Sequence, residues 1–317
     1  MGTRQVPRTY QVIPFEVRGT SVTLQEEEMK RFGVIGHPIA HSLSPLLHNT
    51  AFSLLGLDCS YEAFDIDPAS LPAAIREFKD QGIAGLNVTI PHKESMLSLV
   101  DELTDEARAV GAVNTVTFGG SRVQGDNTDV YGVAASLEQY RQEIRDRIVV
   151  LIGAGGSARA IIYALIDRFA PAEIAIANRT RRRAQELIAD IEPYAKKTKL
   201  RAISGSDEDL ELLMPSASLV INATPVGMFP LVDHSPIGDQ ISFHPDQVVL
   251  DLIYTPLETR FLSLASKCGA RTISGLEMFL HQGARSFEIW LGRQMPLEQI
   301  RPVILNQLQT RQTTSKP

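Results

Sequence analysis

The chain has 317 residues, of which 44% are hydrophobic and 21% charged, and its formal net charge is −6. At roughly 150 residues per domain, this length predicts about two domains, each large enough to bury a core. The negative charge argues against broad nucleic-acid binding, and no apolar run approaches the ~20 residues of a membrane helix.

Secretion and metal binding are also disfavoured. Residues 1–30 contain no hydrophobic signal core. Cys59 and Cys268 lack the spacing of a zinc or redox motif, so we expect reduced, buried thiols in a cytoplasmic protein. His37 and His41 form one spaced pair outside any metal-binding motif, and no metal is predicted.

Short strands and helices alternate along the first part of the chain. Residues 1–30 follow neither period and are predicted to form a loose N-terminal extension. Ser44 is expected to cap the first helix, ahead of Pro45. A long helical stretch is predicted from Pro91 to residue 110. Strands are predicted over residues 32–35, 61–66, 83–90, 112–118 and 123–125.

A second series of strands and helices follows Asp129. Its alternation predicts a parallel, doubly wound sheet with helices on both faces. Residues 276–308 carry a helical pattern with no strand signal. The strands of this second series are predicted over residues 147–152, 173–177, 200–203, 219–222 and 248–253.

The strand at 147–152 runs into GAGGSARA. Gly153, Gly155 and Ala158 fit the G-x-G-x-x-G/A fingerprint at a strand-to-helix turn, where it is typical of dinucleotide binding. The exposed N–H groups and the helix dipole attract phosphates there. A glycine-rich turn without a ligand is the alternative.

The end of the next strand indicates which dinucleotide is bound. An NAD site places an acidic residue there to hold the ribose 2′-OH. Residues 178–183 read NRTRRR instead, with no carboxylate and four arginines. Guanidinium groups bind a 2′-phosphate. The alternative is that these arginines form only the solvated first turn of a helix, which would place cations at its positive end without an anion to compensate them. We therefore predict NADP(H) over NAD(H).

A lysine follows the strand GLNVTIPHKE. When a hydride reaches a carbonyl carbon, negative charge grows on the oxygen, and a lysine ammonium can supply the proton. Lys93 is predicted in the first turn of a helix that begins at Pro91. Asp129 lies where the two series join, and a carboxylate beside Lys93 would keep the ammonium charged. An exposed helix lysine and a capping aspartate are the alternatives.

Together these stretches resemble the shikimate dehydrogenase family. The resemblance implies an α/β chain of two domains: an N-terminal substrate domain, completed by C-terminal helices, and a doubly wound Rossmann domain that binds NADP. It implies boundaries at 31–129, 130–275 and 276–317, and the reversible NADPH-dependent reduction of 3-dehydroshikimate to shikimate, towards chorismate and aromatic amino acids. The stretches, in family order, are GHPIAHSLSP, GLNVTIPHK, AVNTV, GDNTD, GAGGSARA, NRT, INATPVGM, DLIYTP and GLEMFLHQGARSFEIWLG.

The resemblance also implies residue roles. Lys93 and Asp129 would be the catalytic pair, with Lys93 as the acid/base. Two positions depart mildly from the family pattern: Leu252 replaces a frequent methionine and Val130 a frequent glycine. The implied substrate-binding residues are Ser42, Ser44, Thr89, Lys93, Asn114, Asp129, Tyr254 and Gln282. The implied cofactor-binding residues are Gly153, Ala154, Gly155, Gly156, Ser157, Asn178, Arg179, Thr180, Arg183, Leu252 and Gly275.

Two other functions stay open at this stage. A quinate/shikimate dehydrogenase that prefers NAD would carry an acidic residue after the second strand, but activity on quinate itself is not decided. A non-catalytic NADP-binding sensor would have no use for Lys93 and Asp129. Small-molecule substrates are the expected partners, without nucleic acid or membrane, and a homodimer is neither required nor excluded.

Overall fold

The computed structural model describes residues 29–314, so the predicted extension over residues 1–30 lies outside it except for Met29 and Lys30. The described chain forms two six-stranded sheets with helices packed against them. The predicted α/β class, with two sheets and C-terminal helices, is confirmed.

The first sheet is mixed. Its strand order is β2-β1-β3-β5-β6-β4, and β1 runs parallel to both β2 and β3, whereas β5 runs antiparallel to β3 and β6. The strands are β1 (Lys30–Gly36), β2 (Cys59–Asp65), β3 (Ile83–Val88), β4 (Glu102–Leu103), β5 (Thr115–Gly119) and β6 (Arg122–Asp126). The helices between them are α1 (Ser44–Leu55), α2 (Leu71–Asp80) and α3 (Asp105–Val110).

The second sheet is parallel throughout, with the order β12-β11-β10-β7-β8-β9. The order reverses between β7 and β10, and the crevice outside the carboxyl ends of such strands is where ligands bind. The strands are β7 (Ile148–Ile152), β8 (Glu173–Asn178), β9 (Lys199–Ser204), β10 (Ala217–Asn222), β11 (Val248–Asp251) and β12 (Arg271–Ile273). The helices are α4 (Asp129–Leu137), α5 (Arg141–Ile144), α6 (Gly156–Ala164), α7 (Arg181–Ile191), α8 (Asp207–Leu213) and α9 (Arg260–Lys267).

Two C-terminal helices, α10 (Gly275–Leu291) and α11 (Leu297–Thr314), return to the first sheet. A Cβ atom on Gly132 would lie 2.9 Å from the carbonyl oxygen of Met278, so the glycine lets α4 and α10 approach closely. The Trp290 Nε1–H donates to the Val116 carbonyl over 3.1 Å. The shared core includes Phe32, Leu47, Phe52, Phe287 and Ile304.

The long helix predicted after Pro91 is wrong. β3 ends at Val88, and a cis peptide bond joins Ile90 to Pro91. A 3₁₀ turn (Ser95–Ser98), β4 and α3 occupy the predicted helix. Pairing of β4 with β6 supplies backbone hydrogen bonds that compete with a helix, so tertiary contact overrides the local pattern.

Two smaller predictions also need correction. Ser44 is the first residue of α1 and not its cap. Its N–H donates to the Ser42 hydroxyl over 3.2 Å. Cys59 and Cys268 are free thiols but half-buried, because both lie at the margins of their packed layers. β12 was absent from the predicted strands because its three residues are too few for a periodic pattern.

No helix within residues 29–314 combines the length and apolar character needed to cross a membrane. Over the same residues, no three His, Cys, Asp or Glu side chains cluster in a way that could hold a metal ion.

Candidate active site

An ion pair lies at the junction of the two sheets. Lys93 follows the end of β3, and Asp129 is the first residue of α4. The Lys93 Nζ lies 2.5 Å from Asp129 Oδ2, and only 17% and 8% of these side chains are exposed. Removing either partner would leave a poorly hydrated charge without its counter-ion, so the two side chains hold each other in place.

An asparagine fixes the orientation of the Asp129 carboxylate. The Asn114 Nδ2–H donates to Asp129 Oδ1 over 2.9 Å, which leaves Oδ2 for Lys93. The Asn114 Oδ1 accepts from the N–H of Thr128 over 2.7 Å, and the Asn127 Oδ1 accepts from the N–H of Asp129 over 3.2 Å. The carboxylate is therefore held by its own turn and by the strand beside it.

A buried polar network lies behind this turn. The Asn87 Oδ1 accepts from the Tyr61 hydroxyl over 2.7 Å, and its Nδ2 donates to the Ser286 hydroxyl over 2.8 Å. The Ser286 Oγ also lies 2.9 Å from Thr115 Oγ1 and 3.2 Å from Thr128 Oγ1. Helix α10 is thereby tied to the segment that carries Asn114 and Asp129.

This network was not predicted from the sequence. Its available signal was Asn87, an amide inside an otherwise apolar strand. Ser286 and Tyr61 gave no signal, because their importance depends on contacts between segments far apart in the chain, such as the bond from Asn87 to Ser286.

The other predicted substrate residues lie on surrounding elements. Thr89 follows β3, with its N–H bonded to the Ile35 carbonyl over 2.9 Å. Tyr254 stacks on Phe279 with ring centroids 5.0 Å apart. Gln282 lies on α10 where that helix packs against Gly132, and its Nε2–H donates to the Phe279 carbonyl over 2.9 Å. Within residues 29–314, neither Thr89, Tyr254 nor Gln282 hydrogen-bonds to Lys93 or Asp129 through its side chain.

The glycine-rich loop follows β7 and opens α6. Gly153 has φ +115°, and a Cβ there would lie 3.1 Å from the Ala223 carbonyl. Both the backbone conformation and the lack of space therefore favour glycine at this position. Gly155 has an unstrained φ of −100°, and no atom lies within 4 Å of the place where its Cβ would be. The protein's own packing gives no reason for glycine there. The open space at a helix N-terminus fits a pyrophosphate.

A third glycine lies beside this crevice. A Cβ on Gly275 would lie 2.0 Å from the Leu252 carbonyl oxygen, so only glycine fits. The contact joins the start of α10 to the segment after β11, and both predicted nicotinamide neighbours, Leu252 and Gly275, lie together.

The end of β8 presents unpaired cations. The Asn178 Nδ2–H donates to the Thr180 carbonyl over 2.9 Å, and Arg182 pairs with Glu186 over 2.8 Å. In the part of the chain that the structure describes, Arg179, Arg181 and Arg183 are exposed and form no salt bridge. Cations at the positive end of α7 are unfavourable unless an anion binds there.

The segment that carries Lys93 borders the glycine-rich loop. The Glu94 Oε1 lies 3.8 Å from the position of a Cβ on Gly156, in the first turn of α6. Because Glu94 directly follows Lys93, the ammonium lies on the segment that borders the dinucleotide crevice.

Three family models match the chain. They describe a shikimate dehydrogenase substrate binding domain over residues 34–116, a shikimate/quinate 5-dehydrogenase over 135–226 and a shikimate 5′-dehydrogenase C-terminal domain over 275–305. The NADP⁺ shikimate dehydrogenase of Methanopyrus kandleri is 44% identical over 284 residues, which is 89% of this chain and 97% of that relative. The chain belongs to the shikimate dehydrogenase family. The resemblance inferred from its motifs is confirmed.

Solved structures of this family share the architecture. Shikimate 5-dehydrogenase from Thermus thermophilus, in complex with NADP(H) and shikimate, matches with a TM-score of 0.76 and 37% identity over 86% of this chain and 97% of that chain. Quinate dehydrogenase from Corynebacterium glutamicum, in complex with NAD, matches with 0.80 and 29% identity over 87% and 99%. This architecture is therefore found in solved structures with NADP(H) and with NAD.

We expect Ser286→Ala to destabilise this member of the shikimate dehydrogenase family. The substitution removes a buried hydroxyl that serves Asn87, Thr115 and Thr128, and unsatisfied buried groups cost about 1–3 kcal/mol. Urea unfolding would measure the change. The exposed Ser98, changed to alanine, is the matched control and should shift the free energy of unfolding by less than about 0.5 kcal/mol. Equal shifts for the two variants would show that the network contributes nothing.

A buried carboxylate supports the segment after β11. The Asp251 Oδ1 accepts from Asn222 Nδ2 over 3.0 Å and from the Ile253 N–H over 3.1 Å. Its Oδ2 accepts from the Thr259 hydroxyl over 2.6 Å. Burial raises the pKa of Asp251 from its ordinary 3.8 to about 6, against the lowering effect of these hydrogen bonds. The network holds the residues that lead to Leu252 and Tyr254.

This raised pKa predicts a pH-dependent penalty. Both folded and unfolded chains carry a protonated Asp251 below pH 3.8; between that value and about 6 only the unfolded chain ionises readily, so stability falls as pH rises. The fully developed penalty is about 3 kcal/mol. Asp251→Asn copies the protonated acid, because its Nδ2–H can donate to the Thr259 hydroxyl. Unfolding free energies measured from pH 4 to pH 7 should therefore shift in favour of the asparagine variant, and parallel curves would contradict the prediction.

Proposed function

We propose that the chain catalyses the reversible NADPH-dependent reduction of 3-dehydroshikimate to shikimate, on the route to chorismate and aromatic amino acids. One contact carries this function: the 2.5 Å pair of Lys93 and Asp129 on the segment that borders the glycine-rich loop. Membership of the shikimate dehydrogenase family supports the substrate, and the NADP⁺ dependence named for its Methanopyrus kandleri relative supports the cofactor.

Lys93 is the proposed acid/base. NADPH, when bound, supplies the hydride. As the ring carbonyl is reduced, the Lys93 ammonium holds a proton at the carbonyl oxygen and transfers it to form the alcohol. Asp129 orients the ammonium through their 2.5 Å contact, and Lys93 recovers a proton from solvent for the next turnover. In the oxidation direction the neutral amine accepts the hydroxyl proton.

The remaining substrate contacts are proposed by type. A ring with several hydroxyls needs neutral hydrogen-bonding side chains, and a site that pairs them rejects analogues lacking them. Ser42 and Ser44 are proposed to hold the carboxylate. The ring hydroxyls are proposed to contact Thr89, Lys93, Asn114, Asp129, Tyr254 and Gln282.

The cofactor contacts follow the crevice of the second sheet. The pyrophosphate is proposed to lie on Gly153, Ala154, Gly155, Gly156 and Ser157. The adenosine and its 2′-phosphate are proposed to contact Asn178, Arg179, Thr180 and Arg183. Leu252 and Gly275 are proposed to lie beside the nicotinamide, on the side that faces the catalytic pair.

The domain division belongs to the same proposal. Residues 31–129 would bind substrate, 130–275 would bind NADP, and 276–317 would complete the first unit. The separate cores of the two sheets and the return of α10 and α11 support this division. A cytoplasmic location and a homodimer stay predictions.

A spectrophotometric assay tests the function directly. NADPH consumption with 3-dehydroshikimate is expected, as is the reverse reaction with shikimate and NADP⁺. Shikimate and quinate, each with NADP⁺ and NAD⁺, form the matched comparison. Faster turnover with NAD⁺ would overturn the cofactor proposal, and NADPH binding without turnover of either acid would indicate a sensor.

A further inference from the structure

The last helix contacts the segment that carries the serine pair. Arg311 lies near the end of α11, and its Nη1–H donates to the His41 carbonyl over 2.8 Å. His41 directly precedes Ser42, and 270 residues separate the two partners. The bond joins the end of the described chain to the start of the substrate segment.

The segment between β1 and α1 is held at its other side by the first sheet. The His37 N–H donates to the Ile90 carbonyl over 3.1 Å, and the Ser42 N–H donates to the Ile39 carbonyl over 2.9 Å. The Ser42 hydroxyl accepts from the Ser44 N–H over 3.2 Å. The segment that carries both serines is therefore anchored at two points, the Ile90 carbonyl after β3 and Arg311.

Arg311 also acts on a second proposed substrate residue. Burial raises the pKa of the Tyr254 hydroxyl, and the positive charge of Arg311 opposes that increase. The guanidinium is therefore close enough to Tyr254 for its charge to be felt, while it bonds beside Ser42.

We propose that Arg311 is a positioning residue for the substrate carboxylate. It fixes the segment that presents Ser42 and Ser44, and it supplies a positive charge on that side of the site. A carboxylate moved out of water onto two neutral hydroxyls is poorly compensated unless a cation lies nearby. This inference rests on the proposed function, because it takes the carboxylate to lie on the two serines.

Three substitutions separate anchoring from charge. Arg311→Met removes both and is expected to raise the KM for shikimate by ~10-fold, with kcat and the Kd of NADP⁺ within about twofold. Arg311→Gln can still donate to the His41 carbonyl but lacks the charge, so its KM for shikimate should lie between that of the wild type and that of Arg311→Met. Arg311→Lys keeps the charge and a donor and should recover most of the affinity. The exposed Arg293, changed to methionine, is the matched control.

The outcomes separate failure of the Arg311 proposal from failure of the proposed shikimate dehydrogenase activity. An active wild type with an unchanged KM in Arg311→Met would overturn the inference alone. A common fall in kcat, NADP⁺ affinity and melting temperature that lysine does not restore would also overturn it, since that pattern is general packing. If Arg311→Met does not fold, the test becomes the comparison of Arg311→Gln with Arg311→Lys: equal KM values for shikimate in these two variants and the wild type would overturn the inference. A wild type inactive on shikimate would remove the proposed function and the inference together.

Discussion

Lys93→Ala is expected to lower kcat for shikimate oxidation by roughly 10²–10⁴-fold, the usual contribution of a positioned acid/base. The variant loses the only proposed proton carrier, and solvent must replace it. The Kd of NADP⁺ should stay nearly unchanged, because the ammonium of Lys93 bonds to Asp129 and the proposed cofactor contacts do not include Lys93. Steady-state kinetics and a fluorescence titration of the cofactor would measure the two effects.

Lys79→Ala is the matched control. Lys79 lies near the end of α2, is exposed, and donates to the Ser121 carbonyl, which is not among the proposed site residues. Because Lys93→Ala leaves Asp129 without its ion-pair partner, the folded fraction of the variant must be checked by circular dichroism. A folded alanine variant with wild-type kcat would remove Lys93 from the mechanism.

The second sheet could be predicted well because its signals are local. The buried strand at 147–152 and the observed Ile148–Ile152 agree closely, since a sheet covered on both faces gives a continuous apolar run. The glycine fingerprint follows directly from that strand. The glycines could be singled out from their spacing in this fingerprint. The structure adds that packing within the protein does not require glycine at position 155.

The region after Pro91 could not be predicted in the same way. Glu102 and Leu103 form a strand because they pair with β6, and α3 and β5 lie between these two strands in the chain. The composition of residues 95–110 is compatible with a helix, so the pairing partner decides the conformation of this run. The same limit applies to the site.

Long-range contacts also completed the candidate site. Lys93 and Asp129 could be singled out by their residue type and by their position at strand and domain ends. The hydrogen bond between Asn87 and Ser286 could not be predicted, because it spans 199 residues and requires α10 to pack on the first sheet. Arg311 is the same case, since nothing in its surrounding sequence points to His41.

Arg179→Ala is expected to raise the KM for NADPH by roughly 10–100-fold, which corresponds to the 1.5–3 kcal/mol of a hydrogen bond to a charged group. Arg179 directly follows the last residue of β8 and is exposed, and within residues 29–314 no carboxylate competes for its guanidinium. The 2′-phosphate is its proposed partner. The KM for NADH, which lacks that phosphate, should stay nearly constant, and this makes NADH an internal control for the same variant.

Arg182→Ala is the matched control for position, because Arg182 lies in the same turn but is paired with Glu186 over 2.8 Å. Its loss should change the KM for NADPH by less than about threefold, as expected for an exposed i,i+4 pair. An equal loss in both arginine variants would mean that the cluster acts only through its summed charge. An equal loss with NADH and NADPH in Arg179→Ala would show that the guanidinium does not bind the 2′-phosphate, and the preference for NADP would then need another cause.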